Sequence, residues 1–170
     1  TYDLFLIKEG GKYDTQMLKS LMKPFDHLFD FILVDTGPNL SLVNINTFVY
    51  GDYILPVFDT TIDSIEGFQY LYQTAIEPIK NSGVNPKLAI LGILLNHTDR
   101  RTKISREFTS TLNKIYGKLL FKTNIPMVVK NQESRLNRIP IVRYFARSFL
   151  CVQYEQLLQE IEFRIKENER

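Results

Sequence analysis

The chain has 170 residues, of which 44% are hydrophobic, and a formal net charge of +2. This composition supplies enough apolar area for one domain with a buried core and excludes an intrinsically disordered protein. No apolar run approaches the length of a membrane span, and acidic residues close to the short apolar run at the amino end lead us to expect no signal peptide. A single cysteine cannot form an internal disulfide, which is typical of a reducing cytoplasm.

Charge is distributed unevenly along the chain. Residues 1–98 carry six lysines and arginines against eleven acidic residues, whereas residues 99–147 carry twelve against three. A cationic surface of this kind attracts polyanions, and arginine suits phosphate because its planar guanidinium donates two parallel hydrogen bonds. The arginines from Arg100 onward therefore favour a nucleic-acid-binding surface over the alternative, a solvated surface with scattered basic side chains.

The first elements are predicted from apolar patterns. Tyr2–Ile7 is a short apolar run that indicates a strand, and Asp14 is placed to cap a helix with apolar residues at helical spacing. The next run, Phe29–Val34, ends in four consecutive large apolar residues. Such a run is typical of a strand buried on both faces of a parallel sheet.

Asp35 follows this predicted strand directly and precedes a sharp turn at Gly37 and Pro38. Ligands of open α/β sheets bind at the carboxyl ends of the strands. A carboxylate at that edge can hold the water shell of a nucleotide-bound Mg²⁺. The alternative is that Asp35 only caps the turn, and this stretch by itself leaves both interpretations open.

Strands and helices continue to alternate over the rest of the chain. The predicted strands are Tyr53–Val57, Leu88–Leu95 and Leu119–Pro126. The predicted helices are Leu42–Tyr50, one capped by Asp63, one defined by Ile104, Phe108, Leu112 and Ile115, and Phe149–Lys166, with a loop over Val129–Ile141. This alternation predicts an α/β fold, with a mostly parallel sheet, right-handed crossovers and flanking helices.

Several motifs then occur in an order that resembles one family. They are Asp35-Thr36-Gly37-Pro38, Gly51-Asp52 before a strand ending in Pro56-Val57, Ser64-Ile65-Glu66-Gly67, Gly92-Ile93-Leu94-Leu95-Asn96, Asp99-Arg100-Arg101-Thr102, and Ile125-Pro126 followed by Glu133 and Pro140-Ile141. With these motifs the chain resembles the ParA/Soj family of partition ATPases, the MinD-like deviant P-loop NTPases, over most of residues 2–148. The resemblance implies a partial P-loop NTPase-like fold.

One motif of that family is missing from the chain. Family members begin with a glycine-rich lysine loop, and Lys8-Glu9-Gly10-Gly11-Lys12 lacks the spacing that lets backbone amides surround a phosphate. We therefore expect a single domain over residues 1–170 that corresponds to the carboxy-terminal two-thirds of a family member. Because phosphoryl transfer depends on that loop, we expect the chain as it stands not to hydrolyse ATP.

The resemblance also implies roles for individual residues. Asp35 would be the Walker B-like catalytic carboxylate that holds Mg²⁺ through water, Asn96 would contact the adenine base of ATP, and Pro126 and Met127 would line the base. A side-chain amide can both donate to and accept from a purine edge, although from the sequence alone a turn-forming asparagine is an equal alternative. The residues assigned to DNA contacts are Lys130, Arg135, Arg138 and Arg143.

The resulting expectation is a ParA-like plasmid or chromosome partitioning protein, cytoplasmic and associated with the bacterial nucleoid. It would bind ATP and Mg²⁺ as a homodimer, hold DNA without sequence preference and respond to a ParB-like partner protein, with no membrane partner. Two alternatives stay open: a degenerate, non-catalytic fragment that binds DNA or a partner, and a MinD-like membrane-associated positioning factor. The mostly acidic polar face of the terminal helix argues against the second and favours packing on the domain.

Overall fold

The computed structural model describes residues 14–37, 40–99 and 101–169, and within them helices and strands alternate. The helices are α1 (Met17–Met22), α2 (Leu42–Tyr50), α3 (Ile62–Leu71), α4 (Glu77–Asn81), α5 (Lys103–Tyr116), α6 (Val129–Leu136), α7 (Ile141–Tyr144) and α8 (Phe149–Asn168). The strands are β1 (Tyr53–Ile54), β2 (Val57–Phe58), β3 (Ala89–Ile90), β4 (Ile93–Thr98) and β5 (Leu120–Pro126). The strand predicted over Tyr2–Ile7 lies outside the described residues.

The chain divides into two compact units. The first comprises the residues up to Ile54 together with Glu66–Ala89, and the second comprises Leu55–Ile65 together with the residues from Ile90 onward. In the first unit, β1 and β3 form a two-stranded sheet. The second unit contains a three-stranded sheet with the order β2-β4-β5.

Both ladders of the three-stranded sheet are parallel. Val57 of β2 lies opposite Leu94 of β4, and Ile93 of β4 lies opposite Leu120 of β5. Helices α5 and α8 pack against β5. The core of this unit consists of buried apolar side chains from β4, β5, α5 and α8: Ile93, Leu95, Leu112, Leu120, Ile125 and Leu150. This arrangement confirms the predicted α/β fold with parallel strands and flanking helices.

A buried asparagine, Asn46 of α2, holds α1 and α2 of the first unit together. Leu18 of α1 donates its backbone N–H to Asn46 Oδ1 at 3.1 Å, and Asn46 Nδ2 donates to the carbonyl of Asp14 at 2.9 Å. These bonds satisfy a polar group that would otherwise be costly to bury. The predicted apolar face of the first helix is nevertheless only partly covered, and its exposed members are Met17, Leu21 and Phe25.

The strand predicted over Phe29–Val34 is wrong. These residues form neither helix nor strand, with a bend at Asp30, they pair with no strand among the described residues, and the side chain of Leu33 is 94% exposed. Apolar composition favours a strand only where a second strand bonds to its backbone and other layers cover its side chains. Neither condition is met by the described residues, so an apolar segment stays exposed.

Two other predicted strands are each interrupted. Tyr53–Val57 divides into β1 and β2, which belong to different sheets, and Leu88–Leu95 divides into β3 and β4. The second break lies at Gly92, whose φ of +154° is one that side-chain-bearing residues rarely adopt. The chain thus uses this glycine to leave one sheet and enter the other.

The helix predicted from Asp63 begins one residue earlier, at Ile62, and is not uniform. It passes through a π-helical turn at Tyr72–Ile76 before α4, in which Pro78 occupies the first turn. Proline has no N–H and its ring collides with the carbonyl one turn back. A π-helical turn before it accommodates that ring without ending the helix.

Arg164 and Glu160 of α8 fasten this helix to the sheet. Arg164 donates to the carbonyls of Leu91 (3.2 Å), Leu119 (3.4 Å) and Leu120 (2.9 Å), and its guanidinium lies 4.1 Å from the centre of the Phe121 ring. The same guanidinium bonds to Glu160 Oε1 at 3.1 Å. A charge-assisted network of this kind fixes the amino-terminal ends of β4 and β5.

Cys151 is buried near the start of α8 and links it to the segment before it. Ser148 caps the helix by accepting from Cys151 N at 3.2 Å, and Cys151 Sγ donates to the carbonyl of Phe145 at 3.2 Å.

No helix in the described ranges has the length and apolar content required to cross a bilayer.

The crowding around Gly92 leads to the first prediction. A Cβ at this position would lie 2.5 Å from the Phe121 ring and 2.8 Å from the Leu119 carbonyl, so we expect Gly92→Ala to cost roughly 2–4 kcal/mol of unfolding free energy. Gly67, in α3, has nothing within 4 Å of its ideal Cβ, and Gly67→Ala is expected to stabilise by roughly 0.5–1 kcal/mol. Urea unfolding followed by circular dichroism measures both. Equal stability of the Gly92→Ala variant and the parent would contradict the close packing.

The exposed segment Phe29–Val34 leads to the second prediction. An exposed apolar segment whose backbone bonds to no other described residue can pair with another chain, so the chain is expected to self-associate at micromolar concentrations. Leu33→Lys should reduce this association, because charge on an exposed edge opposes strand pairing. Sedimentation velocity measures it, and Val43→Lys, at a 71% exposed position on α2, is the matched control. A soluble monomer with a sharp cooperative melt would show that the segment is covered in solution.

Candidate functional site

The carboxyl edge of the three-stranded sheet brings together polar side chains from β2 and β4 and apolar side chains from β5. Asp59 follows β2, Asn96 and Thr98 lie at the end of β4, and Pro126 ends β5, with Met127 next. Parallel strands end at the same edge, so these residues lie on one side of the second unit. That edge is where open α/β sheets bind their ligands.

A β-bulge shapes this edge. Leu95 lies opposite Asn124 and Thr98 lies opposite Pro126, so β4 advances three residues while β5 advances two. The extra length is accommodated at His97, whose φ is +51°. A non-glycine residue in this left-handed region is uncommon, and bulges next to ligand sites redirect side chains. The bulge therefore turns His97 out of the regular strand alternation.

His97 points to the neighbouring strand of the sheet. Its Nδ1 lies 3.1 Å from Oδ1 of Asp59, and both side chains are about half exposed. The pair joins the ends of β2 and β4.

The predicted base-contacting residues lie at the same edge. Asn96 is half-buried, and its side-chain amide has no hydrogen bond to any other described residue. Pro126 is half-buried and Met127 is exposed, and Met127 N donates to the carbonyl of Thr98 at 3.1 Å. An uncommitted amide with a flat apolar neighbour suits the edge and face of a purine base, so the residues present fit an adenine.

Asp35 belongs to the first unit, whereas the other candidate residues belong to the second. It is exposed directly after the segment Phe29–Val34, and its carboxylate bonds to no other described residue. Mg²⁺ prefers oxygen ligands and keeps much of its water shell in proteins. One free carboxylate fits that water-mediated contact.

The loop predicted over Val129–Ile141 is instead mostly helical, and α6 occupies Val129–Leu136. Glu133 of α6 accepts hydrogen bonds from Lys130 Nζ (2.6 Å) and from Tyr144 Oη of α7 (3.1 Å). The Lys130 ammonium lowers the pKa of the Glu133 carboxyl, and the same hydrogen bond raises the pKa of Lys130. Glu133 therefore joins α6 to α7. It also pairs with the ammonium group of Lys130, one of the residues predicted to contact DNA.

The other predicted DNA-contacting residues have free side chains. Arg135, Arg138 and Arg143 are exposed, and none is hydrogen-bonded or ion-paired through its side chain to a described residue. By contrast, Arg101 bonds to Asp99 and lowers the pKa of its carboxyl, and Arg100 lies outside the described residues. The positive charges of Arg135, Arg138 and Arg143 are thus available to an anionic partner.

Arg138 occupies a position where glycine is usual. It follows the last turn of α6 with φ +53°, and the next residue, Ile139, donates to the carbonyl of Ser134 at 3.0 Å. This bond pattern is the Schellman motif, whose left-handed residue is commonly glycine because a side chain adds strain there. Arg138 therefore has a strained backbone, and its charged side chain is exposed to solvent.

The sequence analysis gave no role to Asp59 or to His97. The signal for Asp59 was its position one residue beyond the apolar pair Val57–Phe58, where a parallel strand ends. No sequence signal reveals the left-handed backbone of His97, because histidine also occurs in ordinary strands.

Comparisons with known proteins agree with this architecture. A family model described as an AAA domain matches residues 1–90. The chromosome-partitioning ATPase Soj of Treponema pallidum is 31% identical over 147 residues, which are 86% of this chain and 57% of that protein. The Myxococcus xanthus chromosome partitioning protein ParA is 28% identical, over 85% of this chain and 50% of its own length. The chain thus spans about half the length of the curated relatives it matches.

Solved structures show the same fold. The Pyrococcus furiosus cell division ATPase MinD aligns with a TM-score of 0.65 and 24% identity, covering 88% of this chain and 58% of its own. Apo McdA of Cyanthece aligns with a TM-score of 0.68 and 16% identity, covering 92% and 59%. At these identities the similarity shows the fold alone. This chain contains part of that fold, as described above.

The backbone of Arg138 leads to the third prediction. Arg138→Gly should raise the unfolding free energy by roughly 0.5–1 kcal/mol, because glycine adopts the left-handed conformation without strain. Arg135→Gly removes the same charge from the interior of α6 and should cost about 1 kcal/mol. Thermal unfolding compares the two variants. A loss of stability in Arg138→Gly would mean that packing by the arginine side chain outweighs the backbone strain.

Proposed function

This chain belongs to the ParA/Soj-like family of AAA-domain proteins, and we propose that it acts in DNA partitioning as a nucleotide-dependent, DNA-holding protein. In this proposal the chain binds ATP with Mg²⁺, associates as a dimer and holds DNA without reading its sequence. A ParB-like partner protein would release it, in the cytoplasm at the nucleoid.

The observation that carries the DNA-binding part is the free arginine set on α6, on α7 and in the turn between them. Arg135, Arg138 and Arg143 have no side-chain partner among the described residues, so they lose no ion pair when they bind phosphate. Contacts to the phosphate backbone give affinity without sequence specificity. Lys130 would join them only by leaving Glu133.

Support for the nucleotide part comes from the carboxyl edge of β4 and β5. Asn96 would bond to the adenine edge, Pro126 and Met127 would cover its face, and Asp35 would hold the water shell of Mg²⁺. Bound ATP and Mg²⁺ would supply the negative charge and the metal through which the two subunits are held together.

A second candidate function is a non-catalytic subunit that pairs with another protein of the same family. The exposed apolar segment Phe29–Val34 favours it, because an apolar segment that belongs to no sheet among the described residues can add as a strand to the sheet of a partner. DNA binding that is retained with no ATP binding would support this candidate over the first.

The arginine set leads to the fourth prediction. Arg135→Ala combined with Arg138→Ala should weaken binding of a random-sequence DNA duplex and reduce the slope of log affinity against log salt by about two. Fluorescence anisotropy at several salt concentrations, with and without ATP, measures this. Lys19→Ala combined with Lys23→Ala, in the first unit, removes equal charge and serves as the control. An equal loss in both double variants would place the DNA site elsewhere.

A further inference from the structure

Helix α8 and the strand β5 form the walls of a groove in the second unit. The groove has a volume of about 570 Å³, and its lining includes Lys122 of β5 and Phe149, Gln153, Gln156, Gln159 and Phe163 of α8. Phe149, Gln153, Gln156 and Phe163 recur at helical spacing, so they share one face of α8. This face is polar in the middle and aromatic at both ends.

The amides in the middle of the groove have unused hydrogen-bonding groups. Gln153 is only 7% exposed, and its Nε2 donates to Gln156 Oε1 at 2.9 Å, whereas its own Oε1 has no partner among the described residues. The Nε2 of Gln156 and the whole amide of Gln159 also bond to no described residue. A buried amide oxygen without a partner is costly. These groups suit a ligand that donates to Gln153 and accepts from its neighbours.

Two aromatic rings mark the ends of the groove. Phe149 is 66% exposed and Phe163 is 60% exposed, although both lie on the face of α8 that borders the sheet. They lie fourteen positions apart, which is about 21 Å along a helix that rises about 1.5 Å per residue. A ligand that covers both rings is therefore elongated and apolar at its two ends.

The edge of β5 is closed to strand addition in this groove. Glu160 accepts the backbone N–H groups of both Lys122 (2.9 Å) and Thr123 (3.0 Å), so neither is available to an added strand. A peptide bound here has to bond to side-chain amides. The polyproline II conformation suits this, because its carbonyls make no internal hydrogen bonds and proline rings pack on aromatic side chains. At about 3.1 Å per residue, about seven residues join the two rings.

The charges of the groove specify the ligand further. Glu160 is paired with Arg164 at 3.1 Å, whereas the exposed ammonium of Lys122 has no ion pair among the described residues. An acidic side chain in the ligand complements Lys122. A nucleic acid would instead bring several phosphates close to the exposed carboxylate of Glu155 on the same helix, which repels them.

We propose that the groove between β5 and α8 binds a proline-rich segment of a partner protein in the polyproline II conformation, with an acidic side chain facing Lys122. Phe149 and Phe163 each pack on a proline ring, and Gln156 and Gln159 donate to the carbonyls of the segment. The backbone N–H of the acidic residue donates to Oε1 of Gln153. None of the residues assigned above to nucleotide or DNA lines this groove, so the proposal is independent of both.

The test uses the whole chain and a labelled peptide with blocked ends, in which three prolines lie on each side of one glutamate. Fluorescence anisotropy should show binding, and Phe149→Ala and Phe163→Ala should each weaken it about ten-fold. Leu158→Ala is the matched control, because Leu158 is 55% exposed on the opposite side of α8 and should be replaced without loss. No binding by the parent chain, or an equal loss in all three variants, would overturn the proposal.

Three further probes test the chemistry of the ligand. Glutamine in place of the glutamate should weaken binding to the parent chain about three-fold and leave binding to Lys122→Ala unchanged. A peptide with threonine in place of every proline should bind at least about ten-fold more weakly, and equal binding would overturn the polyproline II conformation. A single strand of seven thymidines that bound more tightly than the proline peptide, and lost binding in Phe149→Ala, would show a nucleic-acid site and overturn the proposal.

Discussion

The second unit depends on the buried charge pair between Arg164 and Glu160. Glu160 accepts the backbone N–H groups of Lys122 (2.9 Å) and Thr123 (3.0 Å). Burial alone would raise the pKa of the Glu160 carboxyl, but these backbone bonds and Arg164 lower it overall. Removing either partner would leave the other charge largely buried without its counter-ion, which is strongly destabilising.

The same pair compensates for the irregular hydrogen bonding between β4 and β5. Between the pairs formed by Ile93 and Leu95, β5 advances four residues while β4 advances two. The N–H groups that leave the ladder are then bonded by Glu160, which lies on α8 and not on a strand. With β5 fixed at this end, the compensating bulge at His97 sets the side chains of the carboxyl edge.

The sequence predicts α5, α8 and β5 closely because each has regular apolar spacing or a clear cap, such as Thr102 or Ser148. It fails at Phe29–Val34, where local composition favours a strand but pairing depends on the rest of the sheet. It also misses α6, because few of its eight residues are apolar and Val128 supplies no side-chain cap. Asn96 and the arginines were identified as candidates from their residue type and from family motifs, whereas the contacts of Asp59, Glu133 and Arg164 join distant parts of the chain.

The reactivity of the Cys151 thiol reports local opening of the structure around it. Its sulfur is buried and bonded to the carbonyl of Phe145, immediately after the helix that carries Arg143. Because it is the only thiol in the sequence, its rate of alkylation reports how often α7 lifts away from α8. A ligand that holds α7 against α8 would slow alkylation of Cys151 without contacting the sulfur.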